Sequence, residues 1–198
     1  MVVAALTGNI GMGKSQALKA FSDAGVFTVD SDKVVAELLT EPSMIDNVKF
    51  ILGAGTVNED GTVNKKAVAD IIFNDDDMRK AFEDIIHPMV IDRVNALIAS
   101  SGETFAVVEV PLLFERSYEN QFACSITVYA EESVAIDRLM EAGLEREDIV
   151  QRLMCQMPIS EKITRSDFTI DNNGAPDEML PRIKQISRAL KAQAQEQA

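Results

Sequence analysis

An apolar run, a cluster of glycines and a helix-forming segment follow one another at the start of the chain, and that order leaves few folds open. "VVAAL" (2–6) is short, apolar and ended by Thr7-Gly8, the pattern of a buried strand. Gly8, Gly11 and Gly13 come next, then Lys14 and Ser15. Ala17, Leu18, Ala20 and Phe21 recur at helical spacing over 14–23. Further strands are predicted at "VFTVD" (26–30), after a turn at Gly25, and at "FAVVEV" (105–110), "CSITVYA" (124–130) and "DFTIDN" (167–172). Helical patterns separate them, at about 33–39, over most of 43–98, at 132–156 and from about Asp177. Strands alternating with helices predict an α/β fold with a five-stranded parallel sheet flanked by helices. In such sheets ligands bind beyond the carboxyl ends of the strands. The long helical stretch between the second and third strands reads as an insertion or subdomain. It is broken by "GAGTVNEDGTVN" (53–64), with a turn at Asp60-Gly61, and Pro88 is expected to end or kink a helix near His87. The polar tail "KAQAQEQA" is expected to fray.

The glycines carry chemistry as well as geometry. Gly8, four residues, then Gly13-Lys14-Ser15 matches the phosphate-binding pattern GxxxxGK[ST], and the strand before and helix after it are the required setting. Glycine reaches backbone angles that other residues avoid, so successive N–H groups can turn inward around phosphate oxygens. The start of the following helix adds its positive dipole end. In this pattern Lys14 reaches the β- and γ-phosphates, and the Ser15 hydroxyl can ligate Mg²⁺. A plain glycine turn is the alternative, and the flanking elements argue against it.

Net charge bears on the ligand. At −13 the chain does not have the basic balance of a general nucleic-acid binder. The overall field repels phosphate compounds, so attraction must come from local groups such as Lys14 and the loop amides. No apolar run approaches the roughly 20 residues that span a bilayer, and the N-terminus has no signal-like pattern, so a cytoplasmic protein is expected. Cys124 and Cys155 lie in no metal-like spacing and are expected to be buried, unpaired thiols.

Three further stretches offer functional side chains. "VDSDK" (29–33) places Asp30 and Asp32 after the second strand, where a carboxylate can accept a proton from an attacking hydroxyl. Asp30, Ser31 or Asp32 would serve equally well as a helix N-cap. Glu109 ends the third strand, where such enzymes often place an acid on the metal side; a hydrogen bond to nearby loops is the alternative. His87 is the single histidine, a residue more often structural than catalytic when alone. Arg138, Arg146, Arg152, Lys162 and Arg165 supply cations of the kind phosphoryl transfer needs. Glu141, Glu145, Glu147 and Asp148 are interleaved among them, so a solvated helix face is expected for each taken singly.

Taken in order, these stretches resemble the dephospho-CoA kinase family along nearly the whole chain. "LTGNIGMGKS", "DSDK", "IHPMV" (86–90), "VPLLFE" (110–115), the spaced Gln156, Pro158 and Lys162, and "IDNNG" (170–174) follow the family's sequence of motifs. The glycine loop is shared by many kinases; "HP" followed by "PLLFE" carries most of the discrimination. The resemblance implies a P-loop NTPase fold like that of nucleoside monophosphate kinases, as a single domain over 1–198. Its core would be 1–32, 104–137 and 166–198, with a helical acceptor-binding insertion at about 33–103 and a small lid at about 138–160. It implies transfer of the ATP γ-phosphate to the ribose 3′-hydroxyl of dephospho-CoA, with Mg²⁺ as cofactor and no nucleic-acid, membrane or obligatory protein partner. By the family pattern Lys14 and Asp32 would be catalytic, Asp32 as base or orienter of the hydroxyl. Gly11, Met12, Gly13, Lys14, Ser15, Gln16 and Asn173 would hold ATP. Asp32, His87, Pro111, Leu112 and Leu113 would lie by the acceptor, and Ser15 by the metal.

The lid departs from the pattern. The family carries roughly "RxxxRxGLS" there, whereas this chain reads "RLMEAGLERED" (138–148), with Glu141-Ala142 where the second arginine is expected. Gln16 also replaces the commoner threonine. A relocated cation is expected, Arg138 or Arg146, with Arg152 and Arg165 behind them. Another P-loop small-molecule kinase and a non-catalytic nucleotide-binding protein are the alternatives. A GTPase switch is disfavoured because "NKKA" (64–67) has alanine where guanine recognition needs aspartate.

Overall fold

A computed structural model describes residues 1–196. Its strands are β1 (Val2–Thr7), β2 (Phe27–Asp30), β3 (Phe105–Glu109), β4 (Cys124–Tyr129) and β5 (Phe168–Asp171). They form one parallel sheet in the order β2-β3-β1-β4-β5. The helices are α1 (Lys14–Asp23), α2 (Ser31–Leu38), α3 (Pro42–Leu52), α4 (Lys65–Asn74), α5 (Asp76–Ser101), α6 (Glu132–Glu141), α7 (Arg146–Met154), α8 (Ile159–Arg165) and α9 (Leu180–Glu196). The chain divides into two compact units: Met1–Asp30 together with the chain from Ser101 onward, and Ser31–Ser100.

The first unit holds the sheet. Period-two alternation sends Val2, Ala4 and Leu6 to one face, where they pack with Ala17, Leu18 and Phe21 of α1 and Ile183, Ile186 and Leu190 of α9. Ala5 points to the other face, against Leu113 and Phe114. Both faces are covered, which is why the central strands read as continuous apolar runs rather than alternating ones. The chain moves from β1 to one side of the sheet and later to the other, so the ends of β1, β3 and β4 border the switch point where such folds bind ligands.

The second unit is helical and has its own core of Met44, Val48, Leu52, Val63, Val68, Phe82 and Ile86. Pro42 occupies the first turn of α3, where its missing N–H costs nothing. The Asn64 side chain caps α4 by accepting from Ala67 N–H at 3.1 Å. Asp75 Oδ1 accepts from the N–H groups of Asp77 and Met78 at the start of α5. Asp60 forms the predicted turn; Thr62 donates to its Oδ1 from both backbone and hydroxyl, which lowers the Asp60 carboxyl below the usual value.

Several expectations are corrected. Pro88 does not end a helix: α5 runs through it, because an exposed proline costs one backbone hydrogen bond while Phe82, Ile86, Val94 and Ile98 stay buried along the helix. The helical pattern at 132–156 breaks between α6 and α7, where Gly143 takes φ 91°. The C-terminal segment remains helical through Glu196, since Leu190 and Ala194 pack into the core; the last two residues of the expected fraying tail lie outside the described residues. Cys124 is buried, its thiol pushed up to about 11 by burial and by the Asp167 charge. Cys155 is exposed, because it follows α7 at the turn into the next segment.

Candidate active site

The glycine loop leaves β1 at Thr7 and delivers the chain to α1. Gly11 and Gly13 have φ 78° and 89°, left-handed values that side chains rarely adopt. A Cβ at Gly13 would lie 2.0 Å from Asn172 Nδ2, and one at Gly11 would lie 2.7 Å from the carbonyl of Ala135. Gly13 caps α1 without a side-chain acceptor, so the first-turn N–H groups are left to other partners. These amides and the helix dipole form an anion site in the same place. Lys14 Nζ donates to Asn9 O at 3.3 Å, which bends the ammonium over the loop.

Buried polar residues from elsewhere in this unit fix the loop. Asn172, directly after β5 and 2% exposed, donates from Nδ2 to Met12 O at 3.0 Å and to Gln16 Oε1 at 3.3 Å. Gln16 is thereby an acceptor for a loop support. Arg138 donates from Nη2 to Asn172 O at 2.9 Å. Its Nη1 and the Oδ1 atoms of Asn172 and Asn9 are buried with no hydrogen-bond partner among the described residues, so polar capacity is left at the loop. Ile10 N–H donates to Gln156 Oε1 at 2.9 Å, and Asn9 Nδ2 donates to Met157 O at 3.1 Å. Sequence reasoning carried Asn173 rather than Asn172 into the site. Asn173 is exposed; its Oδ1 accepts from Glu131 N–H and its Nδ2 donates to Asp171. The signal for Asn172 was its place at the carboxyl end of a predicted strand.

The loop after β3 is tied to the same framework. Pro111 O accepts from Thr7 Oγ1 at 3.1 Å and from Lys162 Nζ at 3.3 Å. Leu112 is 38% exposed, whereas Leu113 is fully buried with Ala5 and Phe114 and fills space beneath the loop. Lys162 overturns its expected place on a solvated face: it is 0% exposed, 2.7 Å from Glu115 Oε1. Burial pushes its ammonium below the ordinary lysine value, and the Glu115 carboxylate opposes that shift. Arg165 pairs with Glu119 and lies 4.8 Å over the Phe114 ring. Arg146 and Arg152 are exposed on α7.

Asp30 and Glu109 are register partners at the carboxyl ends of β2 and β3, and Glu109 is also paired with Leu6 of β1. Their carboxylates therefore leave the same face of the sheet as Leu6, the face covered by α1. Ser15, which is exposed at the start of α1, is a third hard oxygen donor. No group of three or more His, Cys, Asp or Glu among the described residues is arranged to hold a metal by itself. That donor set suits a small divalent cation that keeps waters and binds through substrate phosphates. Asp32 stands exposed in the first turn of α2, and His87 is half-buried in the middle of α5. Both belong to the Ser31–Ser100 unit, while the loop residues, Pro111–Leu113, Arg138 and Asn173 belong to the sheet unit.

Among the described residues no helix is long and apolar enough to cross a membrane. A family model described as dephospho-CoA kinase matches residues 1–178. A dephospho-CoA kinase of Aquifex aeolicus is 31% identical over 187 residues, covering 93% of this chain and 95% of that protein. The crystal structure of a Thermus thermophilus protein superposes with a TM-score of 0.85 at 27% identity, over 97% of both chains. A Campylobacter jejuni dephospho-CoA kinase shares the fold, with a TM-score of 0.68 at 24% identity over 96% of this chain and 98% of its own.

Proposed function

Since the chain belongs to the dephospho-CoA kinase family, we propose that its glycine loop and first helix hold ATP while Asp32 aligns the acceptor hydroxyl. The reaction is phosphorylation of the ribose 3′-hydroxyl of dephospho-CoA by ATP, the last step of coenzyme A biosynthesis. The observation that carries the reading is the loop itself. Left-handed Gly11 and Gly13 present the amides that lead into α1, with Lys14 beside them.

Gly11, Met12, Gly13, Lys14, Ser15 and Gln16 surround the phosphates in this reading, and Asn173 borders the adenine. Lys14 exchanges its contact with Asn9 O for the β- and γ-phosphates. Asp32 accepts or orients the 3′-hydroxyl proton; His87, Pro111 and Leu112 are assigned to the acceptor, and the buried Leu113 packs beneath its own loop. Ser15 is the place for Mg²⁺, with Asp30 and Glu109 as candidate acids on the metal side; bound with the nucleotide, the ion would supply charge neutralisation. Arg138 is the best supported of the lid cations. It is anchored on Asn172, next to the loop, and its Nη1 has no hydrogen-bond partner among the described residues. Arg165 is engaged by Glu119 and Phe114. We place the reaction in the cytoplasm, where the unpaired Cys124 and Cys155 thiols suit a reducing medium.

The test is ADP release with Mg-ATP, with and without dephospho-CoA, beside adenosine and AMP as control acceptors. Turnover is expected only with dephospho-CoA, and Lys14→Ala is expected to abolish it while leaving the fold intact. Asp32→Asn is expected to lower kcat by about a hundredfold or more, with ATP affinity changed far less. Turnover on the control acceptors alone assigns the chain to another small-molecule kinase activity. ATP binding without turnover on any acceptor makes it a nucleotide-binding protein. Near-wild-type kcat in Asp32→Asn reduces Asp32 to a helix-start residue.

A further inference from the structure

We propose that Lys162 is a positioning residue for phosphoryl transfer, locking the loop after β3 to the α7–α8 junction that grips the entry of the glycine loop. The inference rests on the kinase reading above and concerns how its two halves are kept in register.

The contacts form one connected path. The Lys162 ammonium touches Glu115 Oε1 at 2.7 Å and donates to Pro111 O at 3.3 Å. The same Glu115 oxygen accepts from Met157 N–H at 3.0 Å. Met157 O accepts from Asn9, and the preceding side chain, Gln156, accepts from Ile10 N–H. Thr7 closes the path by donating to Pro111 O. Lys162 therefore connects the loop proposed to face the acceptor with the loop proposed to hold the phosphates, through a continuous series of contacts between 2.7 and 3.3 Å.

Stability alone is a poor reason for this arrangement. A buried ion pair pays a desolvation cost that its attraction often fails to recover, and apolar side chains of similar volume fill the same space as well or better. Such a pair does fix geometry, because a buried charge tolerates no position without its partner. Geometry is what in-line transfer is sensitive to: donor and acceptor oxygens must meet within a fraction of an ångström.

The experiment uses the full chain with Mg-ATP and dephospho-CoA, comparing wild type with Lys162→Met, Glu115→Gln, the double variant and Gln156→Ala. Thermal melting and ATP titration accompany kcat and both KM values. Lys162→Met is expected to lower kcat by about tenfold to a hundredfold, with ATP affinity changed by less than about threefold. The double variant, which leaves no uncompensated charge, is expected to regain melting temperature without regaining kcat. Gln156→Ala keeps the ion pair and is expected to lower kcat about fivefold or more at near-wild-type melting temperature; it serves as the decisive variant if Lys162→Met fails to fold. Should kcat follow melting temperature through the series, so that the double variant restores both, the pair is structural and the proposal falls. Wild-type kcat in Gln156→Ala overturns it as well. Absence of dephospho-CoA turnover in the wild type itself overturns the kinase reading, and this inference with it.

Discussion

At the scale of single residues, the site depends on where side chains are missing as much as on where they stand. Gly13 has no room for a methyl group: Asn172 Nδ2 occupies that position while bonding Met12 O. Gly13→Ala is expected to lower both melting temperature and ATP affinity, the latter by about tenfold or more, since the left-handed backbone alone costs about 1–2 kcal/mol. Adding Asn172→Ala removes the clash, so part of the melting temperature should return while ATP affinity does not. Calorimetric titration and thermal melting of the single and double variants check this, and wild-type affinity in Gly13→Ala would sink it. Residue roles were unevenly legible in the sequence. Lys14 and Ser15 stand in a motif whose spacing states its own chemistry. Lys162 belongs to a spaced motif with Gln156 and Pro158, but its burial was not readable, because its partner Glu115 is remote in sequence and nothing local marks the pairing. Asn172 was hidden beside Asn173 for a similar reason: only the end of β5 decides which asparagine turns inward.

At the scale of elements, strands were easier to read than helix ends. The five strands are short and mostly apolar, and their predicted limits fall within about two residues of those found, the usual uncertainty of such boundaries. The break between α6 and α7 was readable in principle, from Gly143 as a helix-ending glycine, but the even mixture of charges around it looked like one continuous surface helix. At Pro88 the sequence left two outcomes open, an end or a kink, and the helix does not end. Proline is a strong local breaker, yet a helix of 26 residues with buried side chains on both sides of it has enough packing to carry the missing bond. The deficit remains, because the carbonyl four residues earlier, on Asp84, has no N–H to accept from at Pro88. Pro88→Ala is therefore expected to raise the unfolding free energy by about 1–3 kcal/mol, measured by urea denaturation. It should also raise the acceptor KM, because His87 precedes the proline and takes its setting from it. An unchanged denaturation midpoint would show that the helix already satisfies Asp84 in another way.

At the scale of the whole molecule, fold class was legible because alternation of strands and helices admits few topologies, while the strand order had to come from the structure. In the order β2-β3-β1-β4-β5, β1 is paired on both sides and β2 and β5 are edges. Amide hydrogen exchange should rank them accordingly, with Ala4–Leu6 opening only at free energies near global unfolding and the edge strands opening earlier. Slower exchange in β5 than in β1 would contradict that ranking. The same topology leaves one long stretch of the gene outside the sheet. Residues proposed for the ATP side are scattered from Gly11 to Asn173 and are interwoven with every central strand. The Ser31–Ser100 unit is one uninterrupted segment entered after Asp30 and left before Ser101, with its own apolar core. Among the described residues no strand pairing crosses either junction. Recombination at those two points therefore exchanges the whole helical segment, Asp32 and His87 with it, while the glycine loop and every strand of the sheet are inherited unchanged.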